Sequence, residues 1–236
     1  FLQKNRIPLE SVMAKSWNKK IFKQIDEQVN QASKDLADER GACPDAADYG
    51  FNERFSNKTA IAPTASISII CGGASPGVEP IAANSYTHKT LSGSFNVRNK
   101  YLKKILEKYN KDTDDVWSSI TTNQGSVSHL DFLTAEEKDT FKTAFEIDQR
   151  WIIELGADRT PHISQAQSIN VFIPADIHKK ELHDIHFQAW KKGLKSLYYC
   201  RSKSIQRAEN VNKGTSTDVT KNVYSNENES NNKDNN

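Results

Sequence analysis

Cysteine and methionine are scarce in this sequence, with three Cys and one Met among 236 residues. Cys43, Cys71 and Cys200 are too few and too far apart for a disulfide framework or a CxxC zinc site, a pattern that fits a reducing, cytoplasmic setting. A charge excess is lacking too: 32 Lys+Arg stand against 30 Asp+Glu, a formal charge of +2. That balance makes nucleic acid an unexpected partner. No apolar run approaches the roughly 18 residues of a spanning helix, and no basic-then-apolar leader opens the chain, so no membrane partner is expected. What is present, 36% hydrophobic residues at a mean hydropathy of -0.72, can build the core of one large domain or two small ones. The first residue is Phe1 and the sole methionine is Met13, which suggests a piece of a longer polypeptide.

Apolar spacing organises most of the chain. Leu9, Val12, Met13, Trp17, Ile21 and Ile25 recur at three and four, predicting a helix from about Pro8 to Asp38 with Gly41 as its stop. Residues 42–58 read as a loop, followed by a short apolar stretch at 59–62. The alternating segment from Tyr86 to Val97 suggests a strand pair, and helices follow near 99–109 and 114–120. Thr134-Ala135-Glu136-Glu137 has capping-box spacing and should start one long helix ending at Gly156, with Phe141, Phe145, Ile152 and Leu155 on one face. Ser168 to Ile173 reads as a buried strand stopped by Pro174, residues 179–195 as a helix, and 197–200 as another strand. Residues 1–208 therefore form the folded domain. Residues 209–236, rich in Asn, Ser, Thr, Lys and Glu, read as a polar disordered tail. Helices alternating with short strands predict an α/β layer or barrel.

Three groups of residues carry possible chemistry. Pro63-Thr64-Ala65-Ser66 has the composition of a helix N-terminus or tight turn, where free backbone N–H groups and hydroxyls bind phosphate; the same residues also suit an ordinary capped turn. The glycine-rich stretch 72–77 lacks both the Walker ending and a GxGxxG pattern, and reads as a flexible turn. Tyr198 and Tyr199, adjacent in an expected strand, would point to opposite faces as packing residues, although neighbouring phenols can also relay an oxidising equivalent. His178, His183 and His186 lie along one helix without an HExxH pattern, so a solvated face is expected and no metal site.

Several ordered stretches together resemble the C-terminal part of the large, catalytic subunit of class I ribonucleotide reductase. They are Glu39-Arg40-Gly41-Ala42-Cys43-Pro44, Ala60 to Ser68, Gly77-Val78-Glu79-Pro80, Tyr86 to Phe95, Gln165 to Asn170, and His186 to Tyr199. The likeness spans nearly everything before the polar tail. It implies the later portion of a ten-stranded α/β barrel. By the same resemblance Thr64, Ala65, Ser66 and Ile67 hold the substrate diphosphate, with Ser68 at the edge, while Tyr199 and then Tyr198 carry a radical from the small subunit toward a barrel cysteine.

The implied partners are a ribonucleoside diphosphate, the remaining N-terminal part of the large subunit, a radical-generating small subunit, and thioredoxin or glutaredoxin. No cofactor is expected on this chain: the dimetal/radical cofactor belongs to the small subunit, and ATP or dNTP effectors bind outside these residues. The thiyl cysteine, its acid/base neighbours and the reducing cysteine pair also belong to the earlier part of the family sequence. The family's C-terminal redox pair is missing, since no cysteine follows Cys200. The chain alone is therefore expected to be inactive. Two other readings remain at this point: a non-catalytic split-subunit or remnant assembly module, and a cobalamin-dependent relative, against which the adjacent tyrosines argue.

Overall fold

Ser11 fixes where the first helix begins, because its hydroxyl accepts the Ala14 N–H at 3.1 Å. Helix α1 (Val12–Arg40) thus starts later than the apolar spacing suggests, and Gly41, at φ +83°, ends it as expected. The computed structural model describes residues 1–90 and 93–203; the expected tail at 209–236 lies outside them. The buried face of α1 is not its apolar stripe. Ala14, Ser33 and Ala37 are buried, whereas Val12 is 80% exposed and Met13, Trp17 and Ile25 are also exposed. At Ser33 the backbone of another segment comes close, and the Ser33 Oγ accepts from both the Arg54 and Phe55 N–H groups. That returning segment contains a short helix, α2 (Pro44–Asp48), where only loop was expected. Pro44 at its first position supplies the helical φ.

Beyond α3 (Ala65–Ile70), strands β1 (Ser85–Thr90) and β2 (Gly93–Arg98) form the expected antiparallel pair, with Ser85 opposite Arg98 and Thr90 opposite Gly93. Helices α4 (Lys100–Lys108) and α5 (Asp114–Thr122) follow, capped by Asn99 and Thr113. Leu102, Leu106, Trp117, Ile120 and Phe141 close one core between them.

The long helix expected from Thr134 to Gly156 is two helices. The capping box forms, but α6 (Ala135–Thr140) lasts six residues, and α7 (Gln149–Arg159) starts again at Asp148, whose side chain accepts the Arg150 N–H. Phe141 belongs to the first core, while Ile152 and Leu155 belong to a second one with Leu9, Ile147 and Ile169. One straight rod cannot reach both, so the chain turns and Ala144 N–H bonds to the Ile81 carbonyl instead. Gly156 lies inside α7 and does not stop it. A Cβ there would stand 2.6 Å from Ile169 Cδ1, so α7 packs closely on the segment before β3 at this glycine.

Parallel pairing dominates the last third. Ile61 bridges Gln167, and β3 (Val171–Ile173) pairs with β4 (Cys200–Ser202), Val171 opposite Cys200. Helix α8 (Lys179–Lys191) makes the crossover, and Ile185 and Ala189 pack with Ile153 of α7 onto Val171 and Ile173. It stops short of Lys195 because Gly193 is left-handed and Leu194 N–H closes onto the Ala189 carbonyl. The second strand starts at Cys200, after the tyrosines instead of through them. Among the described residues no helix is long and apolar enough to cross a membrane.

Candidate functional site

Thr64 stands at the N-cap of α3, yet its side chain does not cap the helix. The hydroxyl donates to the Pro76 carbonyl at 2.9 Å, which ties the glycine-rich turn to the start of α3. Among the described residues, the N–H groups of Ala65, Ser66 and Ile67 meet no acceptor; the first helical bond runs from Ser68 N–H to the Thr64 carbonyl. Three orphan donors on one turn beside the exposed Ser66 hydroxyl make an anion-accepting surface. Ser68 faces inward, buried, and donates to the Ala65 carbonyl at 2.6 Å. An ordinary capped turn would have used the Thr64 hydroxyl on those same N–H groups, and here it is used elsewhere.

Tyr198 and Tyr199 do not point to opposite faces. Their ring centroids are 4.1 Å apart, and the Tyr198 hydroxyl donates to the Tyr199 hydroxyl at 3.3 Å. The alternation expected of a strand fails because regular pairing begins only at Cys200. The backbone is nevertheless held tightly: Tyr198 N–H donates to the Ile169 carbonyl at 2.8 Å and Val171 N–H to the Tyr199 carbonyl at 2.9 Å. Just upstream, Lys195 Nζ donates to the carbonyls of Ile163, Ser164 and Gln165, fixing the approach to the pair. The hydrogen bond to Tyr199 raises the Tyr198 phenol above its ordinary value, since the neutral form is the donor. Arg201 lies 5.2 Å over the Tyr199 ring. Both rings are about half exposed, at 48% and 51%.

A cleft of about 900 Å³ runs beside α3 and the turn at 72–77, bordered by α1 and the start of β1. Two buried charges lie at it. Glu79, 7% exposed, accepts the Asn170 N–H. Arg159, 4% exposed, donates to Gln167 Oε1 at 2.9 Å and to Asn18 Oδ1 at 3.0 Å. Burial pushes the Arg159 guanidinium down to about 10, opposed by the negative charges of Glu79 and Asp158. Sequence reasoning assigned none of these residues a role. The motif stretches 77–80 and 165–170 contained three of them, but only the fold brings Glu79 to Asn170 and Arg159 to Gln167.

The histidine cluster is dispersed. His178 Nδ1 accepts the Lys180 N–H as a helix cap, His183 stacks on Phe187, and His186 Nδ1 lies 2.8 Å from the Leu182 carbonyl. Among the described residues no three His, Cys, Asp or Glu side chains gather as a metal site. Cys43 is half-buried, Cys71 and Cys200 are exposed, and none forms a disulfide.

Parallel pairing at 61 with 167 and at 171–173 with 200–202, with α7 and α8 packed on β3, gives an α/β arrangement. A family model described as ribonucleotide reductase, barrel domain, matches residues 45–200. The chain belongs to the ribonucleotide reductase barrel-domain family. It is 47% identical over 215 residues to the ribonucleoside-diphosphate reductase large subunit of Invertebrate iridescent virus 6, covering 89% of this chain and 22% of that protein. A second large subunit, from Invertebrate iridescent virus 3, is 44% identical over 92% of this chain and 35% of its own length. Among solved structures, the class Id ribonucleotide reductase alpha subunit of Actinobacillus ureae superposes with a TM-score of 0.79 at 38% identity, over 88% of this chain and 38% of that one. The chain thus spans between about a fifth and two fifths of the length of these relatives.

Proposed function

We propose that this chain is the C-terminal portion of the catalytic barrel of a class I ribonucleoside-diphosphate reductase, contributing the substrate-diphosphate turn and the last tyrosines of a radical relay. The observation that carries the reading is the Tyr198–Tyr199 hydroxyl contact, an arrangement that a packing role does not require. The uncapped N–H groups of Ala65, Ser66 and Ile67, flanked by the hydroxyls of Thr64 and Ser66, support the diphosphate assignment.

Tyr199 loses a proton and an electron first. Tyr198 then gives its hydroxyl hydrogen to the Tyr199 phenoxyl oxygen, which restores the Tyr199 O–H and leaves the radical one residue nearer the active site. A barrel cysteine on the earlier part of the large subunit gives its S–H hydrogen to Tyr198 and becomes the thiyl radical that removes the substrate 3′-hydrogen. The 2′-hydroxyl then leaves as water on protonation, a reducing cysteine pair on that part supplies hydrogen to C2′ and is oxidised to a disulfide, and the 3′-hydrogen is returned. Thioredoxin or glutaredoxin returns the electrons, while the small subunit supplies the dimetal/radical cofactor. The share of Thr64, Ala65, Ser66 and Ile67 is positioning, because so reactive a radical must meet one C–H bond only.

The test is reduction of labelled CDP by this chain combined with a matching N-terminal portion, the radical-bearing small subunit and dithiothreitol. Deoxycytidine diphosphate formed only in the full mixture is the expected result. No product, with association and an intact small-subunit radical confirmed, would overturn the reading.

A further inference from the structure

We propose that Glu79 is a positioning residue for radical transfer: its carboxylate clamps the turn behind the diphosphate-binding segment to the strand that holds Tyr198 and Tyr199. This inference rests on the relay reading above.

The tyrosine backbone is bonded to one edge of segment 169–171, through the Ile169 carbonyl and the Val171 N–H. In a parallel ladder the residue between them turns its own N–H to the other edge. That residue is Asn170, and the acceptor it meets is Glu79 Oε1. Glu79 therefore stands where a further strand would stand, and it supplies the bond that strand would supply. Without it a strand N–H beside the core would lack a partner.

The other end of the clamp leads to Thr64. Glu79 is two residues from Gly77, and a Cβ on Gly77 would collide with Glu79 Oε2, so the carboxylate packs directly against this turn. The preceding residue, Pro76, accepts the Thr64 hydroxyl. The hydrogen-bonded route is thus Thr64, Pro76, the turn, Glu79, Asn170, and the two tyrosines. Arg159 steadies it electrostatically, and it grips the same strand segment through Gln167. A buried carboxylate is costly to desolvate. An apolar side chain would fill the space without that cost, but only an acceptor holds Asn170.

The test is made in the large-subunit polypeptide that carries this chain, assayed with its small subunit. Glu79→Ala should lower kcat by at least about tenfold while KM for the diphosphate stays within about threefold, since displacement of reacting groups acts on the rate. Glu79→Gln keeps an acceptor oxygen and should recover kcat to within about threefold of the unsubstituted enzyme. Gly77→Ala pushes the carboxylate aside without removing it, and should lower kcat in the same pattern. A Glu79→Ala enzyme with kcat within about twofold of the parent overturns the proposal, as does a Glu79→Gln enzyme as slow as Glu79→Ala. If Glu79→Ala does not fold, Gly77→Ala decides: lowered kcat at retained KM supports the clamp, and unaltered kcat overturns it. Tyr199→Phe run in parallel separates the two levels. Turnover by Tyr199→Phe removes the relay reading itself, whereas an inactive Tyr199→Phe beside a fast Glu79→Ala removes only the role of Glu79.

Discussion

The Tyr198 hydroxyl donates to the Tyr199 hydroxyl across 3.3 Å, with both rings on the same side of the chain. Two consecutive residues meet in this way because the strand they lead into has not yet begun. Their backbones are fastened to Ile169 and Val171, so the contact does not depend on two freely rotating side chains alone.

Replacing the Tyr199 hydroxyl should show two effects. Tyr199→Phe in the reconstituted enzyme abolishes turnover and leaves diphosphate binding intact. It also removes the acceptor that favours neutral Tyr198, so the Tyr198 phenol ionises at lower pH than in the parent. Tyrosinate absorbance against pH measures the second effect; an unshifted Tyr198 titration would contradict it.

Thr64 is bonded to Pro76 by its hydroxyl, not to its own helix. Thr64→Val keeps the shape and loses that bond together with the hydroxyl proposed above to hold the diphosphate. KM for the diphosphate should rise about 3- to 10-fold, the worth of one such hydrogen bond. Steady-state kinetics on CDP checks this, and an unchanged KM would count against the diphosphate turn.

Acid should destabilise the fold through paired carboxylates. Burial works against ionised Glu137, but the Thr134 N–H, the Tyr109 hydroxyl and the Thr134 side chain outweigh it and hold the carboxyl below its ordinary 4.5. Glu154 is lowered by its hydrogen bond to Lys192, and Glu53 by one to Ser33. The folded state binds fewer protons than the unfolded chain, so this stability is complete above pH 4.5 and is lost as pH falls through the lower folded values. Urea midpoints measured downward from neutral pH should fall in that window. Glu137→Gln should show a shallower fall, and Thr134→Ala should cost about 1 kcal/mol at neutral pH through loss of the cap.

Gly156 holds α7 against the strand segment. Gly156→Ala places a methyl 2.6 Å from Ile169 Cδ1 and 3.3 Å from Leu194 Cδ2. Overpacking of this kind costs about 1–3 kcal/mol even though alanine favours helix. A lowered denaturant midpoint is expected, and a raised one would mean that α7 can shift freely.

How much was legible in advance differs from element to element. The capping box at Thr134, the stop at Gly41, the β1–β2 pair and the strand before Pro174 were readable because each is set by residues within a few positions of one another. The long helix through Phe141 and Ile152 was not, since those two residues serve different cores. Apolar spacing located the α1 helix but not its buried residues, Ala14, Ser33 and Ala37, of which Ser33 meets the backbone of residues 54 and 55. Motif stretches located the candidate turn and the tyrosine pair, yet spacing alone placed the rings on opposite faces.

By itself the amino-acid sequence determined the family and those local signals that depend on near neighbours, such as the cap at Thr134 and the stop at Gly41. Those properties follow from side-chain type and short-range backbone chemistry. Only the tertiary structure decided that Thr64 bonds away from its helix, that Tyr198 meets Tyr199, and that Glu79 reaches Asn170 from 91 residues away. Such contacts depend on how separate segments are brought together, and parallel pairing across a helix brings together residues that no local pattern relates.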